Sequence, residues 1–129
     1  MHRVKAISQE ISKNMVHVLE EIDEIQIEKV IDEILKAKKI FVLGVGHSEL
    51  IGKVLAMKLA HLGFSSYVVG DVTTPSLKRG DLLLAISQSG ETCTILALVR
   101  KAKSLGGKVV AVTSSSQSTL SELADISLG

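Results

Sequence analysis

The sequence predicts an α/β fold: a three-layer sandwich whose five-stranded parallel sheet runs in the order 2-1-3-4-5, with two helices ahead of the first strand. Three observations predict it. Short apolar runs alternate with segments of helical periodicity, the pattern of right-handed crossovers between parallel strands. The runs are continuous rather than alternating, Leu82-Leu83-Leu84-Ala85-Ile86 most clearly, as strands covered on both faces require. Hydrophobic residues make up 46% of the chain and aromatic ones only 2%, so aliphatic side chains must fill the interior. With 129 residues, a single domain is expected, residues 1–38 forming helices for packing or oligomerisation and residues 39–129 the α/β core.

Each element has its own warrant. Ile7, Ile11, Met15, Val18, Leu19 and Ile22 fall on one helical stripe between Val4 and Ile22. Ile27, Val30, Ile31, Ile34 and Leu35 repeat it in a second helix after a joint at Asp23-Glu24. Both stripes suit packing on the sheet and on a second subunit. Lys39 to Gly44 reads as the first strand, and Ser48 to Leu62 as a helix ended by Gly63. Ser66 to Gly70 is the second strand, followed by a connection from Asp71 to Arg79 that holds Pro75. Asp81 to Ser87 is the third strand, Thr92 to Leu105 a helix stopped by Gly106-Gly107, Lys108 to Thr113 the fourth strand, and Ile126 to Leu128 the fifth.

The bulk properties exclude several classes of partner. Fifteen basic against fourteen acidic residues give a net charge of +1 with no basic cluster, so neither nucleic acid nor an anionic membrane is implied. One cysteine cannot form an internal disulfide, no signal-peptide pattern opens the chain, and no apolar run approaches the ~20 residues of a membrane span. A cytoplasmic location is the expectation. The spacing of the four histidines suggests no metal site.

The chemistry concentrates where strands run into helices. In Ser87-Gln88-Ser89-Gly90-Glu91-Thr92 a buried strand feeds the start of a helix, where free N–H groups and the helix dipole favour an anion. Gly90 permits close backbone approach, and Ser87, Ser89 and Thr92 add hydroxyl donors. One helix cap needs one hydroxyl; three around a glycine point to a cradle for a phosphate monoester. No lysine lies in the loop, which separates it from the P-loop. The order 2-1-3-4-5 brings Gly44-Val45-Gly46-His47-Ser48-Glu49 beside it. That loop starts like a dinucleotide fingerprint, but Glu49 stands where the third glycine should be and would set a carboxylate against a pyrophosphate. It suits a sugar, with two glycines for close approach and Ser48 at a helix start.

Thr113 to Thr119 is a third hydroxyl-rich loop on the same edge. Thr119 with Glu122 reads as a capping box, while Ser114 to Ser116 suit two readings equally, donors to a phosphate or to sugar hydroxyls and a plain polar loop. Glu91 is electrostatically favourable in the first turn of its helix. Cys93 reads as a small buried residue. His61, one turn from Met57 and two from Val54, reads from pattern alone as structural, and His47 sits in the glycine loop itself.

With these residues placed, the chain resembles the sugar isomerase (SIS) family of phosphosugar-binding domains. Ser87 to Thr92 resembles that family's Ser-x-Ser-Gly-Glu-Thr phosphate signature and Gly44 to Ser48 its Gly-x-Gly-x-Ser loop. Within the family, Ala56 to Phe64, Tyr67 to Gly70 and Thr74-Pro75 are similar to the 6-phospho-3-hexuloisomerases, which interconvert 3-hexulose 6-phosphate and fructose 6-phosphate. The His61-Leu62-Gly63-Phe64 stretch separates them from the arabinose 5-phosphate isomerases.

The resemblance implies a homodimer or homotetramer with active sites at subunit interfaces and no metal or organic cofactor. By motif position, Gly46, His47, Ser48, Ser87, Ser89, Gly90, Glu91 and Thr92 bind the substrate and its phosphate, and His61 acts on the sugar ring or the enediol. Two departures stand out. His47 and Glu49 occupy positions where the family usually carries Arg and Gly. Family members also continue beyond the position of Gly129, into a helix bearing the glutamate assigned as base. Isomerisation needs a base to move a proton between neighbouring carbons and a donor for the enediolate. In this chain His61, His47, Glu49 and Glu91 are the candidates, and a partner subunit is a further source. The alternatives are a non-catalytic sugar-phosphate-binding module and an aldose–ketose isomerase of the arabinose 5-phosphate type.

Overall fold

The computed structural model describes residues 24–70 and 74–128. Its five strands, β1 (Ile40–Leu43), β2 (Ser66–Val68), β3 (Leu82–Ile86), β4 (Lys108–Val112) and β5 (Ile126–Leu128), form one parallel sheet in the order β2-β1-β3-β4-β5. Ile40 pairs with Ser66 on one side and Leu82 on the other, and the register continues through Leu82–Lys108 and Val110–Ile126. The helices are α1 (Glu24–Lys36), α2 (His47–His61), α3 (Cys93–Ser104) and the short α4 (Thr119–Leu123).

The continuous apolar runs are explained by the two cores that they feed. Ile40, Val42, Leu82, Leu84, Ile86, Val110 and Val112 point to the face covered by α1 and α2, where they meet Val30, Ile34, Leu55 and Leu59. Phe41, Leu43, Leu83, Ala85, Val109 and Ala111 point to the other face and pack with Ile95, Val99 and Ala102 of α3 and Leu120 of α4. Successive residues of a strand face opposite ways, so a strand buried on both sides has no polar position to offer. Each fully buried Leu or Ile contributes roughly 1.5–3 kcal/mol relative to exposure.

The amino-terminal edge of the sheet is tied electrostatically. Asp81, buried at the start of β3, accepts from the Lys78 N–H at 2.7 Å and lies 3.4 Å from the Lys39 ammonium. Lys39 also donates to the Ser76 carbonyl, fastening the connection that contains Pro75 beneath β1 and β3.

Several expectations shift. β2 ends at Val68 rather than Gly70, whose φ of +102° takes the chain out of strand geometry. β1, β3 and β4 are also shorter at their ends than expected, Gly44, Ser87 and Thr113 lying in the loops. Leu35 is exposed instead of joining the buried stripe of α1, which consists of Ile27, Val30, Ile31 and Ile34. Cys93 is exposed rather than buried, because it stands off the buried stripe of α3, which is Ile95, Leu96, Val99 and Ala102. The helix expected from Val4 to Ile22 lies outside the described residues.

Candidate functional site

Three loops meet at the carboxyl edge of the sheet: Gly44–Gly46 after β1, Ser87–Thr92 after β3 and Thr113–Ser118 after β4. They enclose an open cavity of about 550 Å³ lined by Val45, His47, Ser48, Ile86, Ser87, Gln88, Ser89, Thr92, Ile95, Ser114 and Ser115. Seven of these eleven residues carry a hydroxyl or amide side chain, set among the aliphatic Val45, Ile86 and Ile95, and among the described residues His47 is the one titratable side chain in the lining.

Helices α2 and α3 both begin at this cavity, and neither is closed by its own chain. The N-cap of α2 is Gly46, at φ +64°, which has no side chain to offer. The N-cap of α3 is Thr92, and it makes no side-chain cap hydrogen bond. Its hydroxyl is instead 3.0 Å from the Ser87 hydroxyl, which also accepts from the Gly90 N–H at 3.0 Å. Ser89 accepts from the Glu91 N–H at 3.1 Å and keeps its own proton for a ligand. The first N–H groups of a helix have no intrahelical acceptor. Here two sets of them, with their dipoles, converge on one hydroxyl-lined space, an arrangement that favours an oxyanion.

Gly90 holds the loop against its neighbour. At φ +70° it occupies a conformation that other residues adopt at a cost, and a Cβ there would fall 2.1 Å from the Ser118 hydroxyl oxygen. Gly44 has a different reason from the expected one. A Cβ on it would lie 2.5 Å from the Ser48 carbonyl oxygen, so its close approach is to the first turn of α2, not to a ligand.

The structure brings His47, Ser48, Ser87, Ser89 and Thr92 to one cavity, joins to them Ser114 and Ser115 but not Ser116 of the third hydroxyl-rich loop, and adds Val45 and Gln88. Gly46 and Gly90 shape the loops behind the lining. Glu49 faces away, pairing with Lys53 one helical turn on at 3.3 Å. Glu91 also points elsewhere: its two carboxylate oxygens accept from the Thr119 hydroxyl at 2.6 Å and the Thr119 N–H at 2.8 Å. The Thr119 hydroxyl, followed by its N–H, holds the Glu91 carboxyl below its usual range. This replaces the capping box expected of Thr119 and Glu122. The N-cap of α4 is Ser118, which accepts from the Ser121 N–H at 3.2 Å.

His61 is exposed in the last turn of α2, fourteen residues after His47. At 1.5 Å per residue that places it about 21 Å along the helix from the cavity, towards the opposite edge of the sheet. It does not reach the Ser87–Thr92 loop of its own chain. Among the described residues, no group of three or more His, Cys, Asp or Glu side chains is placed to hold a metal ion. Nor is any of the described helices long and apolar enough to cross a membrane.

A family model described as the SIS domain matches residues 33–128. The chain belongs to the SIS family. A 3-hexulose-6-phosphate isomerase of Methanocaldococcus jannaschii is 49% identical over 87 residues, covering 67% of this chain and 48% of the relative. A Methanococcus jannaschii crystal structure, from which a 3-hexulose-6-phosphate isomerase function was inferred, superposes with a TM-score of 0.78 at 44% identity, covering 81% of this chain and 58% of that one. An Escherichia coli CFT073 protein, solved in complex with a ligand, superposes with a TM-score of 0.75 at 25% identity, covering 98% of this chain and 69% of its own. This SIS domain spans between 48% and 65% of the length of the 3-hexulose-6-phosphate isomerases that it matches.

Proposed function

We propose that this SIS domain binds the phosphate of a phosphorylated ketohexose and serves an isomerase that interconverts 3-hexulose 6-phosphate and fructose 6-phosphate. The observation that carries the reading is the pair of uncapped helix starts, at Gly46 and Thr92, facing one hydroxyl-lined cavity. The phosphate takes the Ser87–Thr92 loop, with Ser87, Ser89, Thr92 and Ser48 as hydroxyl donors. A cavity of about 550 Å³ leaves room for the sugar beyond the phosphate, towards His47, Gln88, Ser114 and Ser115. The relatives named 3-hexulose-6-phosphate isomerase support this choice of substrate.

The chemistry narrows with the geometry. A base must take a proton from one carbon of the sugar and return it to the next, within hydrogen-bond reach of both. Glu91 and Glu49 are engaged away from the cavity, so among the described residues of one chain His47 is the titratable group in reach. His61 acts only on a site of another subunit. A stripe on the outer face of α2 supports such an assembly: Leu50, Val54 and Met57 are 61%, 44% and 48% exposed and lead at helical spacing to His61. A homodimer or homotetramer that sets this face beside a neighbour's cavity completes the site. The scarcity of titratable groups in the cavity also favours a second reading, a sugar-phosphate-binding module without catalysis.

Incubation with fructose 6-phosphate in heavy water, followed by NMR, separates the readings. Deuterium at C3 is the expected result for the 3-hexulose reaction. Deuterium at C1 instead assigns an aldose–ketose isomerase of the arabinose 5-phosphate type, and binding without exchange assigns the module.

A further inference from the structure

Glu91 stands at the edge of the phosphate loop and takes no part in lining the cavity. A carboxylate beside a phosphate site repels the ligand, so simple electrostatics gives it no place there. What it does is join two loops that are twenty-eight residues apart in sequence. Both of its oxygens are engaged by Thr119, one by the hydroxyl and one by the N–H. The neighbouring contacts run the same way. The Gly90 carbonyl accepts from the Leu120 N–H at 3.0 Å, and the space beside Gly90 is filled by Ser118. The Gln88 carbonyl accepts from the Ser114 hydroxyl at 2.6 Å and from the Thr113 hydroxyl at 3.2 Å. Residues 88, 90 and 91 are thus each fastened to the segment 113–120, which carries Ser114 and Ser115 into the cavity wall. Among these fastenings, only the Glu91 pair uses an ionised acceptor, the stronger kind of hydrogen bond.

We propose that Glu91 is a positioning residue of the phosphate loop: by gripping Thr119 with both oxygens it fixes the Thr113–Thr119 wall against Gln88–Glu91 and preorganises the hydroxyls that receive the phosphate. The inference rests on the phosphate-binding reading of this cavity. Preorganised donors bind more tightly because their ordering is already achieved before the ligand arrives. Glu91 therefore strengthens anion binding although its own charge opposes it.

The test measures fructose 6-phosphate affinity by calorimetry at neutral pH, well below the melting temperature of each variant. Glu91→Ala is expected to weaken binding about tenfold, the scale of a lost charge-assisted hydrogen bond. Thr119→Val, which keeps the carboxylate and one N–H donor, is expected to weaken it less, and Thr119→Ser to stay within about twofold of the parent because it restores the hydroxyl. The double variant Glu91→Ala/Thr119→Val is expected to bind no worse than Glu91→Ala. Unchanged or tighter binding by Glu91→Ala overturns the inference, as does additivity in the double variant. Should Glu91→Ala fail to fold, Thr119→Val with parental affinity overturns it equally. Ser89→Ala serves as the control for the site. If it weakens binding while Glu91→Ala does not, the positioning role alone falls; if Ser89→Ala has no effect, the reading of the cavity falls and the inference with it.

Discussion

Helices α3 and α4 start on the same edge of the same sheet, each preceded by a hydroxyl residue, and they are finished in opposite ways. Ser118 turns its hydroxyl to the Ser121 N–H and closes α4 with its own chain. Thr92 turns its hydroxyl sideways to Ser87 and leaves the start of α3 open onto the cavity. A hydroxyl at a helix start is thus ambiguous in the sequence. Its partner decides whether it closes the helix or leaves it free for an anion. α2 follows the open pattern, with a glycine at the cap.

The contrast is broken most severely at Gly90, where the open and closed helices touch. Gly90→Ala forces a side chain into a left-handed conformation and against Ser118, the residue that caps α4. We expect a stability loss of about 3 kcal/mol in chemical denaturation, together with loss of phosphosugar binding.

Two cap substitutions sharpen it. Ser118→Ala is expected to cost about 1 kcal/mol of stability, the usual worth of a cap. Thr92→Val removes a hydroxyl that caps nothing, so its melting temperature should stay close to the parent while affinity for fructose 6-phosphate falls about tenfold. Differential scanning fluorimetry and calorimetry on the same pair of variants check both halves.

The smallest effect is the pH dependence of the Glu91 contact. Its folded carboxyl is held below the unfolded range by Thr119, so the stabilisation is fully present above the unfolded carboxylate pKa. It is lost as pH falls through the depressed folded value. Denaturation curves should show the parent more stable than Glu91→Gln at neutral pH, with the difference shrinking in acid.

The sheet was legible in the sequence because its strands are buried on both faces. Leu82 to Ile86 and Val109 to Val112 contain no polar residue that would blur them. The Ser87–Thr92 loop stood out for the converse reason: three hydroxyls and a glycine crowd where one cap would do, and the fold brings those hydroxyls to one cavity. What local pattern could not reveal were partners distant in sequence. Thr119 has Glu122 at capping-box spacing, yet it bonds to Glu91, which only the fold brings near. Gly44 read as an approach to a ligand and proved to be an approach to Ser48. The placement of His61 depends on the direction of α2, which carries it away from the cavity that His47 enters.

The most direct test of the open-versus-closed account is an amide NMR titration with inorganic phosphate. The account predicts shifts concentrated in the N–H groups of residues 47–48, 88–89 and 92–94, with the Ser121 N–H, already bonded to Ser118, unmoved. Shifts at Ser121 and the start of α4 without shifts at the start of α3 would contradict it, for the anion would then have found the helix that the chain closes.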